Sequence, residues 1–190
     1  MIRTHELSRT FFDPQRGEVK AVNSLSIECN AGEIMGLLGP NGAGKTTTLR
    51  MLATLLGPTS GTAELNGFDI SNEPEKVRAS LGFLSSTTGL YPRLTPTEIL
   101  KFFGEINGMG GQDLQNRIAT LMDEFKIHDY AGVQCEKLSS GMKQKVSIAR
   151  ALIQDPPVLI FDEPTVGLDV IAAAQTMKTI QEYKERGKCI

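Results

Sequence analysis

The chain has 190 residues, 40% hydrophobic and 22% charged, with a formal net charge of −2, the balance of one globular domain with a sizeable core. The slight negative charge argues against a dedicated nucleic-acid binder, whose domains are strongly basic, and no nucleic-acid partner is expected. No run approaches the roughly 18 apolar residues of a spanning helix, and Met1 to Glu6 lacks the apolar core of a signal peptide, so a membrane role requires a partner.

Three scattered cysteines, Cys29, Cys135 and Cys189, have no second Cys or His at metal-ligand spacing and read as buried, reduced thiols. In chain order, Ile2 to Ser8 and Ala21 to Glu28 read as strands, and Phe11 to Gly17 as a turn-rich loop carrying two aromatic rings. Ile34 to Leu38 has the pattern of a strand buried on both faces. Thr46 to Leu56 has helical spacing. Thr62 to Leu65 with Asn66-Gly67 predicts a hairpin. Glu73 to Ser80 reads as a helix and Leu81 to Leu84 as a strand.

The texture changes over 85–137. Pro96 opens a helix through Ile99, Leu100, Phe102 and Phe103. Gly108 to Gly111 breaks it, and Asp113 to Phe125 sets Leu114, Ile118, Leu121, Met122 and Phe125 on one face. Helix returns over Ser139 to Gln154. Val158 to Phe161 is an apolar strand, Val170 to Arg186 the last helix, and Gly187 to Ile190 the start of a strand.

Gly39-Pro40-Asn41-Gly42-Ala43-Gly44-Lys45-Thr46 fits G-x-x-x-x-G-K-[ST] without departure, between a predicted strand and a predicted helix. Gly39, Gly42 and Gly44 let backbone N–H groups curl around a phosphate where a Cβ would intrude. The helix start adds its positive dipole end. Lys45 supplies a point charge for the β- and γ-phosphates, the Thr46 hydroxyl can ligate Mg²⁺, and Asn41 and Thr47 complete the candidate contacts. Asp162 and Glu163 follow the Val158–Phe161 strand, where a carboxylate holding Mg²⁺ belongs. Glu163 is one residue further on, placed to polarise an attacking water.

Between these motifs lies Leu138-Ser139-Ser140-Gly141-Met142, and after them Pro164-Thr165 and Gly167-Leu168-Asp169. The ordered set of aromatic loop, phosphate loop, helical stretch, signature, carboxylate pair and following loop resembles the ABC ATPase family over essentially the whole chain. The resemblance implies an α/β fold: a P-loop NTPase core with a mainly parallel sheet, an N-terminal antiparallel β subdomain and a helical insert. One domain over 1–190 is expected, with 1–84 and 138–190 as core and 85–137 as helical subdomain. It implies ATP and Mg²⁺ as ligands, Phe11 stacking on adenine (Phe12 being second choice), Glu163 as the catalytic group, and Thr46 and Asp162 on the metal. Ser139 and Gly141 would face the ATP of a second, identical subunit, and Asp169 would touch that subunit.

A transmembrane permease is the other implied partner, docking beside Ser85 to Pro96 with Leu90 and Tyr91 exposed, which places the chain on the cytoplasmic face of the cell membrane. Leu81 to Thr97 looks most like sodium-extruding and related ABC-2-type exporters. The alternatives are a soluble ABC ATPase without a transport role and an ATP-binding module that does not hydrolyse.

Three departures stand out. Ser140 and Met142 replace a glycine and the glutamine of the signature, Ser86 stands where the family usually has glutamine, and the family's switch histidine is absent. Neither His5 nor His128 is near the position of that histidine; both read as surface residues. The chain is expected to stop before the family's domain is complete.

Overall fold

The strand β1 (Ile2–Asp13) carries most of an antiparallel sheet, pairing with β2 (Gly17–Leu25), β3 (Glu28–Cys29) and β4 (Ser60–Leu65). The computed structural model describes residues 1–85 and 89–190, so the departure noted at Ser86 lies outside the described residues. Two packed units are present. One holds Met1–Leu81, Pro157–Asp162 and Tyr183–Ile190; the other holds Gly82–Pro156 and Glu163–Glu182.

In the first unit, Ile2 and Thr4 of β1 point inward, and the alternation then slips so that Leu7 is buried in place of Glu6. Glu6 has φ +47°, and here the pairing with β4 jumps from His5↔Thr62 to Ser8↔Ser60. A bulge moves the inward set by one position. The predicted hairpin is present. Asn66 and Gly67, with φ +51° and +84°, turn β4 into β5 (Phe68–Asp69), as a type I′ turn requires. The helix α1 (Lys45–Leu52) is shorter than its pattern, because Thr54 takes φ +59° and leaves Leu55 62% exposed. α2 (Pro74–Ala79), β6 (Leu81–Leu84) and β7 (Val158–Phe161) lie where the sequence places them.

Two expectations are corrected. Phe11 and Phe12 are on β1 itself, opposite Val19 and Glu18, because the hairpin turns later, between Asp13 and Gly17. Asp13 Oδ1 accepts from the amides of Gln15 and Arg16, which tightens the turn around Pro14 and leaves the rings on the strand. The run Ile34 to Leu38 is not a regular strand, and Ile34, Met35 and Leu38 are exposed. It makes a single parallel rung: Ile190 N–H donates to Glu33 O and Met35 N–H to Ile190 O, at 2.9 and 2.8 Å. One rung does not hold a run of this length in a ladder. Gly187 to Ile190 does reach a strand, since Cys189 makes an isolated parallel bridge to Val158 of β7.

The second unit is mainly helical, with Gly82 to Leu84 of β6 at its start. α3 (Pro96–Ile106) starts with a capping box: Thr95 Oγ1 accepts from Glu98 N–H, and the Thr95 amide donates to Glu98 Oε2 at 2.8 Å. α4 (Gly111–Phe125) buries Leu114, Leu121, Met122 and Phe125, and ends where Lys126 turns left-handed at φ +52°. Arg117 of α4 donates to the carbonyls of Leu152 and Ile153, which satisfies the open C-terminus of α5 (Ser140–Ala151). α6 runs Val170–Glu185. Arg150, 6% exposed, sits 5.0 Å from the Phe103 ring and donates to Gly89 O; burial pushes its pKa down. Tyr91 and Phe102 meet edge to face at 5.9 Å and stay 50% and 41% exposed, while Leu90 is only partly exposed.

All three cysteines are buried and free. Burial, with Cys29 beside it, pushes the Cys189 thiol up to about 12, so it stays an inert thiol. His5 is exposed, and His128 Nε2 lies within hydrogen-bond distance, 2.6 Å, of Asp123 Oδ1 at the surface. Among the described residues no helix is long and apolar enough to cross a membrane.

The capping box yields a stability test. Thr95→Ala removes the acceptor at the head of α3 and should cost about 1 kcal/mol in denaturant unfolding. Hydrogen bonds from the Thr95 amide and hydroxyl hold Glu98 below its ordinary value. That stabilisation is therefore full above the unfolded carboxylate pKa of about 4.3 and fades as pH falls through the lower folded value. Thr95→Ala should accordingly narrow the stability difference between pH 7 and pH 3.

Candidate nucleotide-binding site

The phosphate loop rests on the β1–β2 hairpin. Gly44 caps α1 with φ +88°, and a Cβ there would come within 2.1 Å of Ala21 O and 3.3 Å of Val22 Cγ2. Only glycine fits this approach. The hairpin is shaped for it: β1 pairs Arg9↔Val22, then Thr10↔Lys20 and Phe11↔Val19, so Ala21 is the extra residue of a bulge. The bulge keeps Val22 and Val19 on one face together with Arg9 and Phe11, because residues directly opposite in an antiparallel pair share a face. Val22, on that face, is the side chain that meets Gly44. Phe11 is 38% exposed and Val19 39%, whereas Phe12, on the opposite face, is 78% exposed.

The loop carries little side-chain bulk. Gly42 has φ +82° with nothing near an added Cβ, and one at Gly39 would touch only Ala43 Cβ, at 3.0 Å. No side chain caps α1, so the amides at its head are unblocked by a capping group. Lys45 Nζ donates to Gly39 O at 2.6 Å and Pro40 O at 2.9 Å, folding its ammonium over the loop. Thr46 Oγ1 lies 3.3 Å from Asp162 Oδ1, and Asp162 is 4% exposed at the end of β7. Asn41 is exposed on the loop and Thr47 lies in the first turn of α1. The structure thus brings Gly39, Asn41, Gly42, Gly44, Lys45, Thr46, Thr47 and Asp162 together, with Phe11 on the hairpin beneath.

Glu163 is exposed with φ +55°, a left-handed backbone that a glutamate seldom adopts. Its carbonyl accepts from Val166 N–H at 3.2 Å, which folds the segment after β7 into a turn.

Ser139, Gly141 and Asp169 lie in the second unit. Ser139 caps α5, its Oγ accepting from Met142 N–H at 3.2 Å, so one amide at the head of the signature helix is already engaged. Gly141 is where α6 packs: an added Cβ would lie 3.2 Å from Ala172 Cβ. Asp169 caps α6, its Oδ1 accepting from Ala172 N–H at 2.8 Å. These three residues line a cavity of about 670 Å³ with Lys145, Gln175 and Glu182.

Sequence reasoning missed two residues. Val19 is found only once the bulge sets the register. Gln144 donates to Pro164 O, tying the signature helix to the turn after Glu163; its place two residues after Met142 carried no signal.

Comparisons with known proteins show the family and the fold. The family model described as ABC transporter matches residues 22–166, well over half of the chain. The chain is 43% identical over its whole length to the ABC transporter ATP-binding protein NatA of Bacillus subtilis, covering 77% of that protein. It is 40% identical over 92% of its length to the Nod factor export ATP-binding protein I of Burkholderia lata, of which it spans 57%. Among solved structures, an ATP-binding subunit of an ABC transporter superposes with TM-score 0.85 at 29% identity, covering all of this chain and 77% of that one. A dimeric ATP-binding cassette in a post-hydrolysis state, bound to ADP and Pi, gives TM-score 0.87 at 26% identity, covering 99% and 85%. Subunits of this family hydrolyse ATP and work in pairs beside a membrane permease. The chain belongs to the ABC transporter family, as an ATP-binding subunit.

Proposed function

We propose that the first unit holds one ATP, with its phosphates on the amides of Gly42 to Thr47 and its base on the face formed by Phe11 and Val19. The observation that carries this is the contact of Gly44 with Ala21 and Val22. It sets the phosphate loop against the hairpin face that carries the aromatic ring. Asn41 lines the loop's open side. Lys45 would exchange the carbonyls of Gly39 and Pro40 for phosphate oxygens, a stronger charge-assisted bond.

The Thr46 hydroxyl and buried Asp162 fit Mg²⁺, which in such sites takes one or two protein oxygens, the substrate's phosphates and water. Bound there, the ion supplies positive charge to the phosphate oxygens. Glu163 accepts a hydrogen bond from the attacking water and aims it at the γ-phosphorus, in line with the departing ADP oxygen. Ser139 and Gly141, at the head of α5, would face the ATP of a second identical subunit, with Asp169 beside it. The Met142 amide is already spent on Ser139, so the Ser139 hydroxyl proton and the amides of Ser140 and Gly141 are the donors available to that ATP.

The reaction would drive export through a permease, with the chain held at the cytoplasmic face of the membrane. Support comes from the likeness of Leu81 to Thr97 to sodium-extruding and ABC-2-type exporters, and from a relative named for Nod factor export. Sodium or another ABC-2-type substrate is the proposed cargo, and Tyr91 with Phe102 the apolar surface of the second unit offered to the permease.

Two substitutions test the site. Lys45→Ala removes one charge-assisted contact and should weaken Mg-ATP binding about 10- to 100-fold in a calorimetric titration, with an unchanged circular dichroism spectrum. Glu163→Gln keeps the shape but loses the charge that polarises water. Steady-state ATPase should drop about 100-fold or more, with ATP binding kept and an ATP-dependent dimer appearing in size-exclusion chromatography. An undiminished rate would assign the water to another group.

A further inference from the structure

We propose that Arg9 is a positioning residue for the nucleotide base: its guanidinium fixes the Phe11 ring in the orientation that receives the base. The proposal rests on the reading of Phe11 as the base platform. Arg9 shares a face of the hairpin with Phe11, and its guanidinium carbon lies 4.8 Å from the centroid of that ring. The head is anchored from behind, since Arg9 Nη1 donates to Gly57 O at 2.8 Å.

Gly57 belongs to the turn after α1, and that turn is stitched to β1 on both sides of Arg9. Thr59 N–H donates to Ser8 O at 2.8 Å, and Thr10 N–H to Thr59 Oγ1 at 3.0 Å. Arg9 Nε is buried with no hydrogen-bond partner among the described residues. The guanidinium of half-buried Arg9 is therefore anchored at one end on Gly57 O with its Nε edge covered, and the Phe11 ring lies against it. Among the described residues no cation covers the Phe12 ring, which is 78% exposed, against 38% for Phe11.

A ring clamped on one side has fewer orientations to lose when a base settles against it. Ordering one such side chain in advance is worth about two- to tenfold in affinity, and a planar guanidinium over an aromatic face is a favourable clamp. The effect belongs to the base and not to the phosphates, which the loop at Gly42 to Thr47 receives.

Titration of the full chain with Mg-ATP and, separately, with magnesium tripolyphosphate separates the two. Arg9→Ala should weaken ATP about two- to tenfold and leave tripolyphosphate unchanged, and in a Phe11→Ala background it should have no further effect, because the clamp then has nothing to hold. Arg9→Lys, which keeps the charge and the stem, should show the same selectivity at smaller size and guards against a variant that fails to fold. Equal weakening of both ligands, or an undiminished Arg9→Ala effect without Phe11, would overturn the proposal. If Phe11→Ala weakens ATP selectively while Arg9→Ala does nothing, the clamp alone is wrong. If Phe11→Ala leaves ATP unaffected, the base-platform reading falls, and the clamp with it.

Discussion

The close approach of Gly44 to the bulge at Ala21 is the contact on which the rest of the site depends. A residue with a Cβ at position 44 would press on a backbone carbonyl, and no rotamer change relieves such a clash. Because the loop sits there, α1 begins at Lys45 with its amides uncapped, and Thr46 comes within 3.3 Å of Asp162. Because the bulge keeps Val22 and Val19 in phase, the same hairpin that supports the loop presents Phe11 beside it. One irregularity in an antiparallel ladder thus relates the proposed phosphate cradle to the proposed aromatic platform.

Charge follows the same division. Lys45 carries its ammonium over the loop on two carbonyls, which the proposed phosphates would replace. Asp162 is buried at the end of β7, where a carboxylate is stable only with partners, and the Thr46 hydroxyl is one of them. Glu163, one residue on, leaves the strand in a left-handed conformation and stays exposed. Adjacent carboxylates therefore have different surroundings, one enclosed beside a hydroxyl and one open to water, as their separate proposed roles require.

Much of this was legible in the sequence because its signals are local. The glycines of the phosphate loop, the Asn66-Gly67 turn, Pro96 with its capping box and the apolar strand before Asp162 each announce a backbone conformation within a few residues. What was not legible depends on contacts far apart in the chain. Ile34 to Leu38 has the composition of a buried strand, but burial needs neighbours on both sides, and one rung with Ile190 does not supply them. Phe11 looked like a loop residue because the turn residues Asp13 to Gly17 follow at once; the strand simply persists until Asp13. Ser139 and Asp169 match family positions that face a second subunit, and their side chains also cap helices of their own. The bulge at Ala21 leaves no mark in sequence, because alanine is at home in a strand or a bulge.

A crystal structure of the chain with Mg²⁺ and a non-hydrolysable ATP analogue tests the central claim most directly, since it reads both ends of the nucleotide at once. The account requires the phosphates on the amides of Gly42 to Thr47, Lys45 Nζ moved from Gly39 O and Pro40 O onto phosphate oxygens, and the base against Phe11 and Val19. A nucleotide whose base lies away from that hairpin face, or whose phosphates leave Lys45 on its two carbonyls, would contradict it.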